Sequence, residues 1–335
     1  MKAIAAIATC AAALLSGCAS TVTNYGLDDH FSSAEYLSGS TSTPEQCANT
    51  MHAVWVEGAD FHECIRYFPS DAFASGHVER AVVFLEGDQT GGHKISANYG
   101  KHTPASKIEQ ANLEQRRDGG LAYVLVGRPG MDGSSGQTSL KRTHYETEVM
   151  EAAIEKIKAN YGIKELGLVG LSGGGGLVAD LIAERQDVLC AVSASGVTSA
   201  VLRAKEKGLN ADVETHTPFS KMWDPIDQLP RVHPMPGFRM FVASDRTDGA
   251  VSFTSQQNYA QHALKDGLPI SQIEVHGSGE EHHDTDKVGN RIMQACMAGA
   301  PTDYIVKTFT GLDNNSKDLN TLARKILLRV EDKPV

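Results

Sequence analysis

Continuous apolar runs separated by helical patterns dominate the middle of the chain. The runs occupy residues 80–85, 121–126, 165–171, 188–192 and 238–243. Such a run is typical of a strand that is buried on both faces of a parallel sheet. Between the second and third runs, apolar residues recur at helical spacing from Val149 to Ile157, which predicts a helix. Strands that alternate with helices predict right-handed crossovers and a mostly parallel sheet, the α/β class.

The third of these runs ends in a serine flanked by glycines. Gly170-x-Ser172-x-Gly174 has the spacing of a nucleophile elbow, a sharp strand-to-helix turn that exposes a serine hydroxyl. Glycine is expected on both sides because the turn is too tight for side chains. The alternatives are a flexible glycine loop and, at glycines 173–176, a phosphate site at a helix N-terminus. Neither G-x-x-x-x-G-K-[ST] nor G-x-G-x-x-G with a later acid occurs here, which disfavours nucleotide binding.

The regular alternation is interrupted between the fourth and fifth runs. Residues 197–237 contain one short helical pattern and five prolines. We interpret this segment as a lid-like insertion packed over a site, because covers are commonly built at such connections. An irregular connection without a role in substrate binding is the alternative.

An acid and a base follow the serine in the chain, each just past the end of a predicted strand. The strand after the insertion leads to Asp245 and Asp248, and the next strand leads to His282 and His283. A serine hydroxyl becomes an effective nucleophile only when a base takes its proton and a third group orients that base. Serine, then aspartate, then histidine is the chain order of α/β-hydrolases.

Three loops between about residue 81 and residue 297 resemble loops of the α/β-hydrolase superfamily. Residues 128–135 are similar to its Pro-Gly-x-Gly-x-Ser loop, and residues 277–282 to its Gly-x-x-His base loop. Residues 248–253 resemble its Asp-x-x-Val-Pro-Phe acid loop, with serine in place of proline. The resemblance implies the α/β-hydrolase fold, a doubly wound sheet with helices on both faces and a lid-like insertion.

The same resemblance implies the catalytic residues. Ser172 is the expected nucleophile, Asp248 the acid, and His282 the base, because the family loop places its base first. Asp245 and His283 are the runner-up acid and base. Their alternative roles are a loop hydrogen bond for the aspartate and a surface or supporting position for the histidine.

Two backbone amides are expected to hold the oxyanion of a tetrahedral intermediate. One is the amide of Gly173, directly after the nucleophile. The other comes from the loop after the first buried strand, where the family often has His-Gly-x and this chain has Glu86-Gly87-Asp88. The match carries over Gly87 and Asp88, with the Asp88 amide preferred. A carboxylate at Glu86 in place of an imidazole leaves open how the loop is braced.

The N-terminus has the pattern of an export signal. Residues 1–17 match a secretory signal peptide, and residues 15–18 (Leu-Ser-Gly-Cys) resemble the lipobox of bacterial lipoproteins. The resemblance implies cleavage before Cys18 and a lipid on Cys18 that anchors the protein without spanning the membrane. A plain signal peptide cut elsewhere is the alternative. Residues 18–44 are then expected to form a flexible tether, and residues 45–335 the hydrolase domain.

Removal of the signal peptide would take Cys10 and lipidation would use Cys18, which leaves four of the six cysteines. These four are expected to form disulfides, because export leads to an oxidising compartment of the bacterial cell envelope. We predict the pairs Cys47–Cys64 and Cys190–Cys296, although four cysteines allow three pairings. Their spacing does not suggest zinc. The segment 280–286 is rich in acids and histidines, but without spaced partners elsewhere a metal site is disfavoured. No metal or cofactor is therefore expected.

Charge narrows the range of partners. The formal net charge is −10 without a block of lysine or arginine, which disfavours nucleic acid and anionic membrane surfaces as partners. The predicted function is that of an exported serine hydrolase that cleaves a carboxylic ester through an acyl-enzyme on Ser172. A serine peptidase of the same fold and a non-catalytic, hydrolase-like envelope lipoprotein are the alternatives. The sequence leaves the acyl group, small-molecule or peptide, and the oligomeric state open.

Overall fold

Eight strands form one central sheet in the computed structural model, which describes residues 20–91 and 94–331. In chain order the strands are β1 (Ala53–Glu57), β2 (His62–Pro69), β3 (Arg80–Leu85), β4 (Ala122–Val126), β5 (Glu165–Leu171), β6 (Val188–Ala194), β7 (Arg239–Ser244) and β8 (Ile270–Glu274). Their spatial order is β8-β7-β6-β5-β3-β4-β2-β1. The strands β3 to β8 pair in parallel, and the hairpin β1–β2 joins them antiparallel through β4. The prediction of a mostly parallel sheet is confirmed.

Helices cover both faces of this sheet. They are α1 (Ser33–Ser38), α2 (Pro44–Ala48), α3 (Pro104–Arg117), α4 (His144–Tyr161), α5 (Gly173–Glu184), α6 (Ala200–Glu206), α7 (Pro225–Gln228), α8 (Phe253–Lys265), α9 (Asp286–Met297), α10 (Thr302–Phe309) and α11 (Leu319–Glu331). The core on one face includes α4, α5 and α8, and the core on the other includes α3, α9, α10 and α11. Along β3, Ala81, Val83 and Leu85 join the first core, whereas Val82 and Phe84 join the second. Strand β3 is apolar throughout because both of its faces are covered.

The segment before α2 packs on the domain, so the flexible tether predicted for residues 18–44 is wrong for its described part. Tyr25, Phe31 and Tyr36 are at most 4% exposed and belong to the second core. Phe31 packs edge-on against Phe68 of β2, with ring centroids 5.9 Å apart. Three buried aromatic side chains remove enough apolar surface from water to fix a segment whose polar composition suggested a tether.

Both predicted disulfides are confirmed. Cys47 of α2 is bonded to Cys64 of β2, and Cys190 of β6 to Cys296 of α9. Two disulfides are typical of a protein outside the cytoplasm. The predicted signal peptide and lipidated Cys18 lie outside the described residues.

The predicted insertion, residues 197–237, connects β6 to β7. It contains α6, α7 and two short 3₁₀ helices, Phe219–Lys221 and Leu229–Arg231. Within residues 20–91 and 94–331, no helix has the length and apolar character needed to cross a membrane.

Candidate active site

Ser172 lies between the end of β5 and the start of α5. Its backbone angles, φ 54° and ψ −120°, are seldom occupied by a residue that carries a side chain. Its N–H donates to the carbonyl of Ala194 at the end of β6 (2.9 Å), and its carbonyl accepts from the N–H of Val197 (3.1 Å). Such a strained conformation persists only where its surroundings hold it, and the neighbouring strand does so here. The turn has the form of the predicted elbow.

The glycines on either side of Ser172 allow this turn to close. A β-carbon on Gly170 would collide with the carbonyl oxygen of Gly174. A β-carbon on Gly174 would collide with the carbonyl oxygen of Leu85 in β3. Because both obstacles are backbone atoms of the sheet and the turn, they cannot rotate aside as a side chain could. The Gly-x-Ser-x-Gly pattern therefore reflects close packing and not a flexible loop.

Asp248 and His283 form a hydrogen-bonded pair in the loops that follow β7 and β8. The Nδ1 atom of His283 lies 2.9 Å from Oδ2 and 3.0 Å from Oδ1 of Asp248. The Asp248 side chain is fully buried and that of His283 is 17% exposed. The N–H groups of Ala250 and Val251 each donate to Oδ1 of Asp248 at 2.9 Å, which fixes the carboxylate. With Nδ1 directed at the carboxylate, Nε2 is the ring nitrogen that can act on another group.

The partner of Asp248 was expected to be His282, and that expectation is wrong. The loop closes through reciprocal backbone hydrogen bonds between Ser278 and Asp284, at 2.9 and 3.1 Å. His282 lies in the outer part of this loop, is exposed and has φ 52°. His283 lies next to the closing pair of residues and faces Asp248. The runner-up histidine therefore takes the position that the resemblance assigned to its neighbour.

Asp245, the runner-up acid, binds the loop backbone instead of the imidazole. Its Oδ1 accepts from the N–H and hydroxyl of Thr247 at 2.6 and 2.7 Å, and its Oδ2 accepts from the N–H of Gly277 at 2.6 Å. Burial opposes ionisation, but the hydrogen bonds outweigh it and hold the pKa of Asp245 below its usual value. Asp245 thus ties the acid loop to the base loop.

Ser195 joins the elbow to the base loop. It directly follows Ala194, whose carbonyl accepts from the N–H of Ser172. Its hydroxyl lies 3.0 Å from the hydroxyl of Thr285, two residues after His283. Its N–H donates to the carbonyl of Ala243 in β7 at 2.8 Å. The serine, aspartate and histidine therefore converge on the sheet edge formed by the carboxyl ends of β5 to β8.

The loop after β3, residues 86–91, is the predicted oxyanion loop and passes beside Ser172. A β-carbon on Gly87 would lie 3.1 Å from the β-carbon of Ser172. A β-carbon on Gly173 would lie 2.7 and 2.8 Å from the two carboxylate oxygens of Asp88. Gly173 also begins α5, and the first-turn N–H groups of a helix have no acceptor within it. The three residues expected around the oxyanion are thus gathered at Ser172.

Three buried cations surround the Asp88 carboxylate. Arg142 lies 2.6 Å from it, Arg128 2.9 Å and Lys141 3.1 Å, and each of these side chains is at most 5% exposed. Burial alone would raise the pKa of Asp88, but these charges hold its pKa well below the usual range. The carboxylate beside Gly173 is therefore ionised and neutralised by its neighbours.

The loop after β3 is braced at Glu86 by a salt bridge and a hydrogen bond. The Glu86 carboxylate pairs with buried Lys107, and its carbonyl accepts from Arg128 at 3.0 Å. Arg128 lies in the 128–135 loop that the resemblance singled out, whereas Lys107 carried no motif. The pairing of these cations with Glu86 could not be predicted from the sequence, because the partners are distant in the chain.

The insertion contacts both the acid loop and the oxyanion loop. Arg203 of α6 donates to the carbonyl of Ala250 at 2.9 Å and pairs with Glu214 at 3.3 Å. The Glu214 carboxylate accepts in turn from the hydroxyl of Thr90 at 3.4 Å. The insertion is therefore packed against the site.

A cavity of about 210 Å³ lies beside the oxyanion loop. Its lining includes the hydroxyl-bearing and charged residues Thr90, Thr138, Ser139, Lys141, Glu214 and Thr215. Lys141 contacts both this cavity and the Asp88 carboxylate. Through Lys141, the cavity borders the group of charges around Asp88.

The acidic, histidine-rich segment 280–286 does not assemble a metal site. Within the part of the chain that the structure describes, no group of three or more His, Cys, Asp or Glu side chains is arranged to hold a metal ion. One member of the segment, His283, is committed to Asp248.

Comparison with known proteins gives matches of fold and none of sequence. No family model matches the chain, and no curated protein matches it. A Pyrococcus furiosus esterase is 15% identical with a TM-score of 0.51, over 86% of this chain and 100% of the esterase. An acylaminoacyl peptidase in complex with Z-Gly-Gly-Phe-chloromethyl ketone is 13% identical with a TM-score of 0.52, over 81% of this chain and 43% of the peptidase. The uncomplexed Pyrococcus horikoshii acylaminoacyl peptidase is 13% identical with a TM-score of 0.49, over 67% and 36%.

The sheet order and the two similarities with TM-scores of 0.51 and 0.52 show the fold. The chain has the α/β-hydrolase fold, and the structures that share it include esterases and peptidases. The chain spans less than half the length of the two acylaminoacyl peptidases.

Proposed function

We propose that this chain is a serine hydrolase whose nucleophile is Ser172. The observation that carries the proposal is the buried Asp248 carboxylate bonded to Nδ1 of His283, at the same sheet edge as the strained serine. A carboxylate on Nδ1 keeps the hydrogen on that nitrogen, so that Nε2 can accept the proton of a serine hydroxyl. The same carboxylate stabilises the imidazolium that results.

The proposed reaction has two halves that use the same imidazole. The Ser172 oxygen attacks the substrate's carbonyl carbon while its proton passes to Nε2 of His283, and the carbonyl electrons move onto oxygen. The oxyanion then collapses, the leaving group takes the proton from His283, and an acyl-enzyme forms. A water molecule repeats the sequence and releases the carboxylic acid and the free serine.

The oxyanion is proposed to bind the N–H groups of Gly173 and Asp88. Gly173 supplies a first-turn amide at the positive end of α5, where a developing negative charge is favoured. Gly87 lets the loop after β3 approach Ser172, which supports the neighbouring Asp88 amide as the second donor. The salt bridges of Glu86 and Asp88 would keep this loop in place during the reaction.

A carboxylic ester with a small, polar group is the proposed substrate. The cavity beside the oxyanion loop is about 210 Å³ and is lined largely by hydroxyl-bearing and charged side chains. A cavity of this size favours a short group over a long alkyl chain, and its hydroxyl and charged side chains can hydrogen-bond to that group. A peptide bond would use the same residues, so esters and amides of one acyl group must be compared directly.

Export and lipid attachment at Cys18 complete the proposal. The two disulfides support an extracytoplasmic location. The lipobox-like residues 15–18 support an anchor in the bacterial cell envelope.

A fluorophosphonate probe tests the nucleophile and the location together. Fractionated cells that produce the wild-type protein should show the labelled protein in the envelope fraction, and Ser172→Ala should abolish the label. Hydrolysis of short-chain esters faster than of long-chain esters or matched amides would support the substrate class. A folded wild-type protein that takes no label would instead favour a non-catalytic binding protein, and labelling of the alanine variant would refute Ser172 as the nucleophile.

A further inference from the structure

Arg142 connects the oxyanion loop to the insertion. Its Nη1 donates to Oδ2 of Asp88 at 2.6 Å, and its Nε donates to Oδ2 of Asp212 at 2.8 Å. The Arg142 side chain is 5% exposed and that of Asp212 is 1% exposed. Burial alone would lower the pKa of Arg142, but the two carboxylates hold its pKa well above the usual value. Arg142 is therefore a charged, buried link between two segments that are distant in sequence.

Both ends of this link are held rigidly. Arg142 has φ 58°, an uncommon value for a residue with a side chain. Its N–H donates to Glu146 at 2.8 Å, and its carbonyl accepts from the N–H of Trp223 in the insertion at 2.9 Å. On the other side, Oδ1 of Asp212 accepts from the N–H groups of Glu214 and Thr215 at 3.0 and 2.7 Å. A fixed arginine thus binds a fixed carboxylate.

The Asp88 carboxylate lies against the backbone of Gly173, the residue directly after Ser172. The contact is close enough that a β-carbon on Gly173 would force the carboxylate to shift. Gly173 and Asp88 are also the two residues whose amides are proposed to bind the oxyanion. A shift of the Asp88 carboxylate would therefore displace one proposed donor and loosen the contact with the other.

We propose that Arg142 is a positioning residue, which sets the spacing of the two oxyanion donors and makes it depend on the docking of the insertion through Asp212. This inference rests on the proposed serine hydrolase function. In it, docking of the insertion contributes to the rate of acylation through the buried Arg142–Asp212 ion pair, whose two side chains do not line the cavity proposed for the substrate.

The test is the rate at which the fluorophosphonate labels Ser172, because the phosphonyl oxygen of the probe occupies the oxyanion hole. Arg142→Met should slow labelling by at least about 10-fold, towards the roughly 100-fold that the loss of one oxyanion donor costs. Arg142→Lys, which keeps one charge, should restore part of the rate. Asp212→Asn keeps an oxygen that can accept from the N–H groups of Glu214 and Thr215, but it places an amide NH₂ group opposite Nε of Arg142. It should slow labelling, although by less than Arg142→Met does. With an ester substrate, Arg142→Met should lower kcat more than it changes KM.

Arg185 provides the matched control. Its side chain is 2% exposed and pairs with Glu151, Glu155 and Asp187, so Arg185→Met also removes a buried arginine from carboxylate partners. It lies past the far end of α5, about 18 Å from Ser172 along a 12-residue helix. Arg185→Met should leave the labelling rate of the folded protein unchanged.

Two results would overturn the inference. One is an Arg142→Met variant that labels as fast as wild type, and the other is an equal loss of rate in Arg185→Met. Wild-type labelling in Asp212→Asn would refute the dependence on the insertion. Failure of the wild-type protein to label would instead refute the proposed function itself.

Discussion

Replacing Asp248 with asparagine separates two tasks of this carboxylate. Its Oδ1 accepts from the N–H groups of Ala250 and Val251, and both of its oxygens lie within 3.0 Å of Nδ1 of His283. Asparagine keeps one oxygen for the loop backbone but presents an NH₂ group to the imidazole. The ring must then carry its hydrogen on Nε2, where it cannot take the proton of Ser172.

The expected cost is large in rate and small in stability. The equivalent tautomer error in a serine protease lowers kcat by about 10⁴-fold, which corresponds to about 5.5 kcal/mol of transition-state free energy. We expect a loss of about this size in Asp248→Asn. The backbone hydrogen bonds of the loop survive, so the free energy of unfolding should change by less than about 1 kcal/mol.

Asp245→Asn is the matched comparison, because the same chemical change is made in the same loop. The Oδ2 atom of Asp245 accepts from the N–H of Gly277, and its Oδ1 is occupied by Thr247. An amide NH₂ facing the Gly277 donor leaves it unpaired, which should lower the free energy of unfolding by about 1–3 kcal/mol. The kcat value should fall by less than about 10-fold, because the imidazole keeps its carboxylate.

Two assays decide between these outcomes. Kinetics with a chromogenic acetate ester give kcat and KM, and urea unfolding followed by circular dichroism gives the free energy of unfolding. The orienting role of Asp248 is refuted if Asp248→Asn keeps more than about one tenth of the wild-type kcat, or if Asp245→Asn loses as much kcat as Asp248→Asn.

Two further predictions concern other titratable groups. His283→Ala should lower kcat by about 10³-fold or more whereas His282→Ala should change it by less than about 3-fold, and equal losses in both variants would contradict the assignment of the base. Asp180 of α5 is fully buried, and burial, with added repulsion from the Asp224 and Glu146 charges, raises its pKa well above the usual value. The native state then binds more protons than the unfolded state above about pH 4, so wild-type stability should fall as the pH rises from about 4. Asp180→Asn should remove the part of this fall that is due to Asp180, as measured by urea unfolding at several pH values, and a stability difference between the two proteins that does not vary with pH would contradict it.

The sheet and the elbow could be predicted from the sequence because both depend on patterns among residues that are close together in the chain. The apolar run of β3 follows from burial on two faces, and Gly170 and Gly174 follow from the backbone contacts of one turn. Asp248 was preferred over Asp245 through the resemblance of its loop, and the contacts agree. In these cases, the residues that decide the structure are neighbours in the chain.

Features decided by distant contacts were missed. His282 and His283 are adjacent, and only the closure of their loop between Ser278 and Asp284 determines which of them faces the acid. The spacing of Thr143 and Glu146 at the start of α4 also predicts a capping box, which the structure does not form.

In the structure, the Glu146 carboxylate instead binds Arg128 and the N–H of Arg142. The spacing of Thr143 and Glu146 alone cannot predict that a buried arginine from another loop binds the Glu146 carboxylate. The aromatic residues of the segment before α2 lacked periodicity for the same reason, since their partners lie on the sheet and in other loops.

The salt bridges around Asp88 are expected to add little to the stability of the fold but to fix the geometry of the loop after β3. A buried salt bridge contributes little net stability, because the desolvation of its charges offsets most of their attraction. A network of this kind is therefore poorly explained by stability alone. It does fix geometry, since each carboxylate oxygen of Asp88 has a cation within 3.1 Å and the whole group rests on Gly173. An apolar replacement of the network could preserve the fold and still allow the loop after β3 to drift. Burial of charges alone does not indicate this role, because Arg185 also pairs with three carboxylates far from the site. The contact of Asp88 with Gly173, directly after Ser172, is what favours a role in the rate of reaction over a role in folding.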